Sequence, residues 1–534
     1  MKNSHLALAL FTLFAFGLYS CKKYVNHSVR KSYTDVNKVL HADASQNPFF
    51  KIHFKNGNVS TLEYWHITSS KDSLKGEGAL YDLNRNNIED GQLSFAIEDM
   101  AIIETNNLDQ LKSKDSERIA LLSILTAANV ILDLVCLANP KACFGSCPTF
   151  YVNGDDMIHG ANAEGFSNAI SPALEYGDID ALQHSTSKER FQLTMKNEAF
   201  ETHMVNELAL FAVPKSRDEN VFHDNDGNYY KAKEIVEPSS ASAEGKDIRS
   251  LICGIDETEY FSLTDSFDLT KKEEVILEFE NMPNERHGIV INHRQTLLTT
   301  FLLYSGLSYM GDEVGDYFAK IETNRYIKKK LGSPFKKLGG IKMFVWDPAK
   351  RKWKFVEELY ETGPIAENLI ISPIWNMQPQ GGKMKIKLEM SKGLWRIDHI
   401  GLSSIENPVE PLKVHPSEID IVEGGAYFPE DVSADDEEYL ISFPGDEFNL
   451  QFDFPKLPYG EKYELFLSAK GYYLEWMRSS WLEGKDLPKL KRMLMHDRQT
   501  WRELAIEFKS MEHEMESVFW SSKYPVLEQD QQNQ

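Results

Sequence analysis

Between Ile341 and Leu402 the chain repeats short runs in which apolar and polar residues alternate, and this pattern restricts the fold more than any other feature of the sequence. A period of two places every second side chain on one face of a strand, so each run must bury that face. The runs are Ile341 to Trp346, Trp353 to Val356, Met384 to Met390 and Leu394 to Leu402, with Asp347-Pro348 as a turn after the first. Short strands at such spacing favour a β-sandwich. The same signal appears at Phe50, Ile52 and Phe54, ahead of the hairpin dipeptide Asn56-Gly57. It returns at Phe191 to Met195, Glu207 to Val213, Val275 to Phe279, Gly288 to Ile291, Glu447 to Phe454 and Tyr463 to Leu467.

Helical periodicity is clearest in three places. Gln295 to Tyr309 reads as a helix. From Ile119 to Leu137 an apolar run carries Ser123, Thr126, Asn129 and Asp133 on one helical face. Asp133 would cost about 2–3 kcal/mol deep in a bilayer, so this segment reads as a buried helix rather than a membrane-associated one. Near the end, Asp486 caps and Pro488 starts a helix whose stripe, Leu490, Leu494, Trp501, Leu504, Phe508, Met511, Met515 and Val518, keeps near-heptad spacing. One long helix over about 487–520 is expected, docked on the chain's own β domain.

With 534 residues the chain exceeds one ordinary core. The expected fold is α+β, β-rich and multidomain, with β-sandwich-like units, the buried apolar helix at 119–137 and the long C-terminal helix. The organisation read from composition is a signal peptide at 1–20, an N-terminal β-rich unit at 21–115, the apolar helix within 116–140, an α+β domain at 141–330, a β-sandwich-like domain at 331–430, and strands plus the terminal helix at 431–534. The chain has 58 Lys and Arg against 81 Asp and Glu, a net charge of −23, which leaves no global positive field for phosphates and excludes nucleic acid as a partner.

The amino terminus carries an address. A single Lys2 precedes the apolar stretch Leu6 to Leu18, which suits the hydrophobic region of an export signal and is short for a membrane span. The following Leu18-Tyr19-Ser20-Cys21 resembles the lipobox of bacterial lipoproteins, with Tyr19 departing from the usual small residue. The resemblance implies cleavage before Cys21, lipidation of its sulfur by acyl chains such as palmitate, and anchoring to a membrane without a spanning helix. Lys22 in place of the aspartate associated with inner-membrane retention points to the outer membrane of the cell envelope.

Removing Cys21 leaves Cys136, Cys143, Cys147 and Cys253, an even number that allows two structural disulfides in three connectivities in an oxidising compartment. Gly145 and Pro148 let the loop holding Cys143 and Cys147 fold back. Over roughly residues 140 to 310, the blocks Cys147-Pro148-Thr149-Phe150-Tyr151, Gly165-Phe166, Leu174-Glu175-Tyr176-Gly177-Asp178 and Asn197-Glu198, then Arg294 to Thr300, resemble an uncharacterised group of bacterial envelope proteins. Gly393-Leu394-Trp395-Arg396-Ile397-Asp398 resembles strands of ligand-binding β-sandwiches. Neither resemblance brings an activity with it.

No nucleophile elbow, His-Glu-x-x-His helix or phosphate-binding Gly-rich loop occurs in the sequence, so no catalytic residue is assigned, nor any metal or cofactor. The densest ionisable cluster is Asp155, Asp156, His159, Glu164, Glu175, Asp178 and Asp180, where carboxylates could converge on a ligand or metal or work as an acid and base pair. His223-Asp224-Asn225-Asp226-Gly227 begins like a calcium loop but has Val236 where the closing acid belongs, and reads as an Asx turn. His287 and His293 flank a strand at a spacing unsuited to one metal. Trp346, Trp353, Trp375 and Trp395 are candidates for stacking on sugar rings if they face outward. The leading expectation is a membrane-anchored envelope lipoprotein that binds or scaffolds an envelope protein or glycan without catalysis. The alternative is an enzyme acting on glycan or peptide through carboxylates or a metal near residues 155–180.

Overall fold

The computed structural model describes residues 24–32, 49–54, 59–68, 73–81, 87–110 and, apart from short stretches, 147–523. The segment 1–20, Cys21, the apolar run at 119–137, Cys136, Cys143, Asp155, Asp156 and His159 lie outside the described residues. The chain divides into two compact units, Met1–Cys143 and Phe144–Gln534.

The described residues of the first unit form one antiparallel sheet of β1 (Tyr24–Ser32), β2 (Phe49–Phe54), β3 (Val59–Ile67), β4 (Ser73–Tyr81), β5 (Asn87–Ala96) and β6 (Met100–Gln110), in the order β1-β6-β2-β3-β4-β5. The expected pairing around Asn56-Gly57 is present, with Phe49 opposite Glu63 and Ile52 opposite Ser60, while the turn itself is outside the described residues. Alternation fixes which face is buried: Ile52, Leu62, Trp65, Leu74 and Leu93 form the core.

The second unit begins with β7 (Thr149–Val152), β8 (Ala163–Glu164), β9 (Tyr176–Thr186), β10 (Arg190–Lys196), β11 (Glu201–Lys215), β12 (Asn220–His223), β13 (Tyr229–Ala232), β14 (Ser240–Ala243) and β15 (Lys246–Asp247). It continues with β16 (Lys272–Phe279), β17 (His287–Gln295), helices α1 (Leu298–Met310), α2 (Arg325–Leu331) and α3 (Ser333–Leu338), and β18 (Ile341–Asp347) to β19 (Lys352–Leu359). Then follow β20 (Asn368–Pro373), β21 (Met384–Ser391), β22 (Trp395–Val409), β23 (Leu412–Val414), β24 (Glu418–Ile421), β25 (Leu440–Ser442), β26 (Glu447–Asp453) and β27 (Lys462–Glu475). Helices α4 (Leu487–Leu494) and α5 (Arg498–Lys523) close it.

These strands build a β-rich, sandwich-like unit of several sheets. One runs β24-β26-β10-β7-β8 and a second β23-β11-β27-β9 with β25 beside β11. Strands β12-β13-β22-β17-β20 close a barrel, and β15-β14-β16-β21-β18-β19 form a six-stranded sheet. The sheets ignore the boundaries expected near 330 and 430: β10 pairs with β26, β11 with β27, and β17 with β22.

Two features of the helices depart from their sequence reading. The terminal helix is broken: His496 takes a left-handed φ of 58° between α4 and α5. Asp497 then caps the new start, its carboxylate accepting from Thr500 N at 2.9 Å and Thr500 Oγ1 at 3.0 Å, so the near-heptad stripe hid an internal cap. Asp486 caps α4 as expected, accepting from Lys489 N at 2.8 Å. The docking of α5 on the β framework is also ionic, not only apolar. Phe301 of α1 meets Phe508 of α5 at 5.1 Å, while Arg396 of β22 donates to Glu516 of α5 at 2.8 Å with both side chains nearly free of water.

Candidate binding face

The strand β18 shows why one face of the six-stranded sheet is unusual. Ile341, Met343 and Val345 point inward and are buried, which turns Lys342, Phe344 and Trp346 outward. Its partner β19 sets Phe355 opposite Phe344 and Trp353 opposite Trp346. Both pairs meet edge to face, with ring centroids 5.7 Å apart for the phenylalanines and 5.3 Å for the tryptophans. The two pairs are two residues apart on each strand, which puts them on the same side of the sheet, just past a bulge between Met343 and Phe344. Phe355 is 58% exposed, so much of its apolar surface stays in water instead of yielding the ~25 cal/mol per Å² that burial would give.

Across the sheet the row continues. Phe344 lies opposite Lys387 of β21, and Lys387 lies opposite Ile276 of β16, which in turn faces Ser242 of β14. The Lys387 ammonium sits 4.8 Å from the Phe344 ring centre and 5.6 Å from Trp353, and pairs with Glu274 at 2.8 Å. A neighbouring row places Glu274, Glu389, Lys342 and Glu358 side by side. Beyond Lys387 the surface falls into an open groove of about 480 Å³ walled by Ser242, Lys272, Glu274 and Glu389 with Ile276 among its lining. Four aromatic rings thus lead into a trough of hydroxyl, ammonium and carboxylate groups. That combination suits a ligand with one apolar C–H face and a rim of hydroxyls. Of the four tryptophans singled out in the sequence, Trp346 and Trp353 belong to this face. Trp395 is in the core against His293, and Trp375 stands apart under the Arg286 guanidinium at 5.0 Å.

The acidic cluster expected near 155–180 does not assemble from its described members. Glu164 on β8 is buried; its Oε1 accepts from the Cys147 thiol at 2.8 Å and its Oε2 from the backbone N–H groups of Ile365 and Ala366 at 2.7 and 3.2 Å. Glu175 accepts from Asn206 Nδ2 at 2.7 Å, and Asp178 from Tyr176 Oη at 3.4 Å and Ile179 N at 3.1 Å. Asp180 accepts from the Glu164 N–H at 3.0 Å. Each carboxylate serves a different backbone or side-chain donor, and among the described residues no group of three or more His, Cys, Asp or Glu side chains could hold a metal.

Cys147 and Cys253 are free thiols, so neither forms an expected disulfide. Glu201 accepts from the Cys147 N–H and from His203 Nε2, the latter at 2.8 Å, which completes a sealed cluster with Glu164. Burial, with Glu164 and Glu201 adding to it, pushes the Cys147 thiol well up, so it stays protonated. Burial drives His203 down to about 3, leaving it neutral. A neutral thiol beside a neutral imidazole is a poor nucleophile pair, and this cluster holds β7, β8 and β11 together.

Sequence reading missed one acid pair. Asn292 of β17 donates through Nδ2 to Glu367 at 2.8 Å and to Asp398 of β22 at 3.1 Å, bridging carboxylates far apart in the chain. Burial raises Asp398 to about 6, although Asn292 and the Asp256 N–H favour its charged form. Asp224 meanwhile forms the expected Asx turn, accepting from Asp226 N at 3.0 Å and Asn228 N at 2.9 Å. His287 and His293 are both buried within the barrel strand β17. No described helix is long and apolar enough to cross a membrane. No family model matches the chain. No curated protein matches it in sequence.

Proposed function

We propose that this chain is an envelope lipoprotein, held by acyl chains on Cys21 at the outer membrane, whose second unit binds glycan through the outward face of its six-stranded sheet. The observation that carries the binding reading is the Trp346–Trp353 edge-to-face pair, stationed on the solvent side of a sheet whose other side supplies the core. Sugar rings pack their C–H faces on indoles, and the carboxylates and Lys387 beside them are placed for the hydroxyl edge. The chemistry is recognition: the face holds no acid and base pair around a single reacting point.

Titrating the protein with a panel of hexasaccharides while following tryptophan fluorescence tests the binding reading. Saturable quenching that is lost in Trp353→Ala supports it, and a panel without any response removes it. Radiolabelled palmitate incorporated by the native protein but not by Cys21→Ala tests the anchor.

A second reading, a carboxylate-dependent hydrolase of glycan or peptide, draws on the Asn292 bridge and the raised Asp398. It predicts a hydrolytic activity towards the same oligosaccharides that disappears in both Asp398→Asn and Glu367→Gln.

A further inference from the structure

Helix α1 has an apolar stripe that no described side chain fills. Thr299, Leu302, Leu303, Gly306, Leu307 and Met310 follow one another at three- and four-residue spacing, and all line one cavity of about 260 Å³. The opposite side of the helix is satisfied, with Phe301 against Phe508 of α5. Leu331, Phe335, Leu490 and Met493 of α2, α3 and α4 wall the cavity across from the stripe. Well-packed interiors leave few voids larger than a water molecule, so an apolar space of this size between four helices asks for an occupant.

Gly306 sharpens the point. It lies inside α1, where glycine costs about 0.5–1 kcal/mol relative to alanine, yet its backbone is not left-handed and a Cβ built on it would meet nothing within 4 Å. Neither backbone conformation nor a close neighbour requires the glycine. What it does is widen the cavity.

Lys328 puts a charge at the rim, and the two short helices beside it are basic. Arg325, Lys328, Lys329 and Lys330 of α2 and Lys336 and Lys337 of α3 stand together without an acidic residue in either helix, in a chain whose net charge is −23. None of these six cations forms an ion pair among the described residues. Lys328 lines the cavity and is exposed, its ammonium donating to the Ala173 carbonyl; Lys330 reaches Met495 Sδ, and Lys337 lies 4.8 Å over the Trp501 ring. Thr299, Thr300, Ser167 and Asn168 add polar groups to the lining.

We infer that the cavity under α1 binds a single-chain acyl anion, its tail along the Thr299–Met310 stripe and its anionic head at Lys328. The stripe is roughly 16 Å long at ~1.5 Å per residue, and the volume holds roughly nine groups of the ~30 Å³ that a liquid water occupies. The volume matches a medium-length chain of about ten carbons, and the stripe is long enough to hold such a chain extended.

The test uses the full chain and decanoate, read by displacement of a dansyl-labelled undecanoate, with decanol as the uncharged control. The expected result is one saturable decanoate site per chain, binding at least tenfold tighter than decanol. Gly306→Leu, which fills the space, is expected to abolish displacement while keeping the thermal midpoint. Should that variant lose its midpoint, Leu303→Trp, which occupies the same space from a residue already lining it, takes its place. Replacing Lys328, Lys329 and Lys330 by Gln is expected to shrink the preference for decanoate over decanol. No displacement in the native chain, equal displacement with the cavity filled, or equal affinity for acid and alcohol would each overturn the inference.

Discussion

Arg294 and Glu259 form a two-pronged ion pair sealed from water, with Nε to Oε1 at 2.7 Å and Nη2 to Oε2 at 2.8 Å. The second oxygen of Glu259 also accepts from Arg396 at 2.9 Å, and Arg396 continues to Glu516 on α5. One carboxylate therefore faces two guanidinium groups, and removing it takes a buried charge partner from both, leaving Arg396 to Glu516. Glu259→Gln is expected to destabilise the second unit by about 3–5 kcal/mol, read as a lowered urea midpoint. Glu516→Gln, at the edge of the same network, should speed hydrogen exchange in α5 more than in the barrel strands.

The neutral His203 sets a pH dependence. Its folded value is about 3 and its unfolded value about 6.5, so between these limits the unfolded chain binds the extra proton. Stability conferred by His203 is complete above pH 6.5 and is lost as pH falls toward 3, by on the order of 5 kcal/mol. The slope of melting temperature against pH over this interval should flatten in His203→Gln. An unchanged slope would mean that the ring is not held neutral.

Asp398 acts in the opposite sense. Its folded value of about 6 exceeds the unfolded value, so the folded state holds the extra proton in the interval between them and loses stability as pH rises from about 4 through 6. Asp398→Asn should be more stable than the native chain by about 2 kcal/mol at pH 8, with the advantage vanishing below pH 4. Paired denaturation curves at the two pH values check this.

The aromatic pairs on β18 and β19 predict a separation of stability from binding. Phe355 is mostly exposed, and a cross-strand aromatic pair contributes roughly 0.2–1 kcal/mol, so Phe355→Ala and Trp353→Ala should each cost no more than about 1 kcal/mol. Oligosaccharide affinity should fall at least tenfold. A loss of stability matching the loss of affinity would mark the pairs as structural.

Thiol reactivity gives a further check. Cys147 is buried and its thiol is pushed well up, whereas Cys253 is half-buried with a smaller set of opposing carboxylates. Peptide mapping after alkylation at pH 8 should find Cys253 modified in the folded chain and Cys147 only after denaturant is added.

Much of the framework was legible in the residues because strand burial is a local pattern. The alternation in Ile341 to Trp346 and Met384 to Met390 reads directly as β18 and β21, and Gln295 to Tyr309 closely anticipates α1. The break at His496 was not legible, since Leu494 and Trp501 keep a helical spacing across it and the Asp497 cap looks like any surface acid. Glu164 looked like part of an acidic loop because its acceptor role depends on amides at Ile365 and Ala366, two hundred residues away. The aromatic ladder depends on register: Trp346 and Trp353 were visible, but Phe355 and Lys387 joined them only once the strands were paired. Asn292 carried no signal at all, because an asparagine becomes a bridge only when two distant acids arrive beside it.

The pairing of β11 with β27 has a consequence for assembly. A strand laid down at Glu201 finds its longest partner only at Lys462, so a nascent chain emerging from its amino end carries an unsatisfied, apolar ribbon until almost the whole polypeptide has appeared. Any product cut short before that point offers the ribbon at most the three-residue edges of β23 and β25, and quality control would meet it as an aggregation-prone fragment rather than as a smaller working protein.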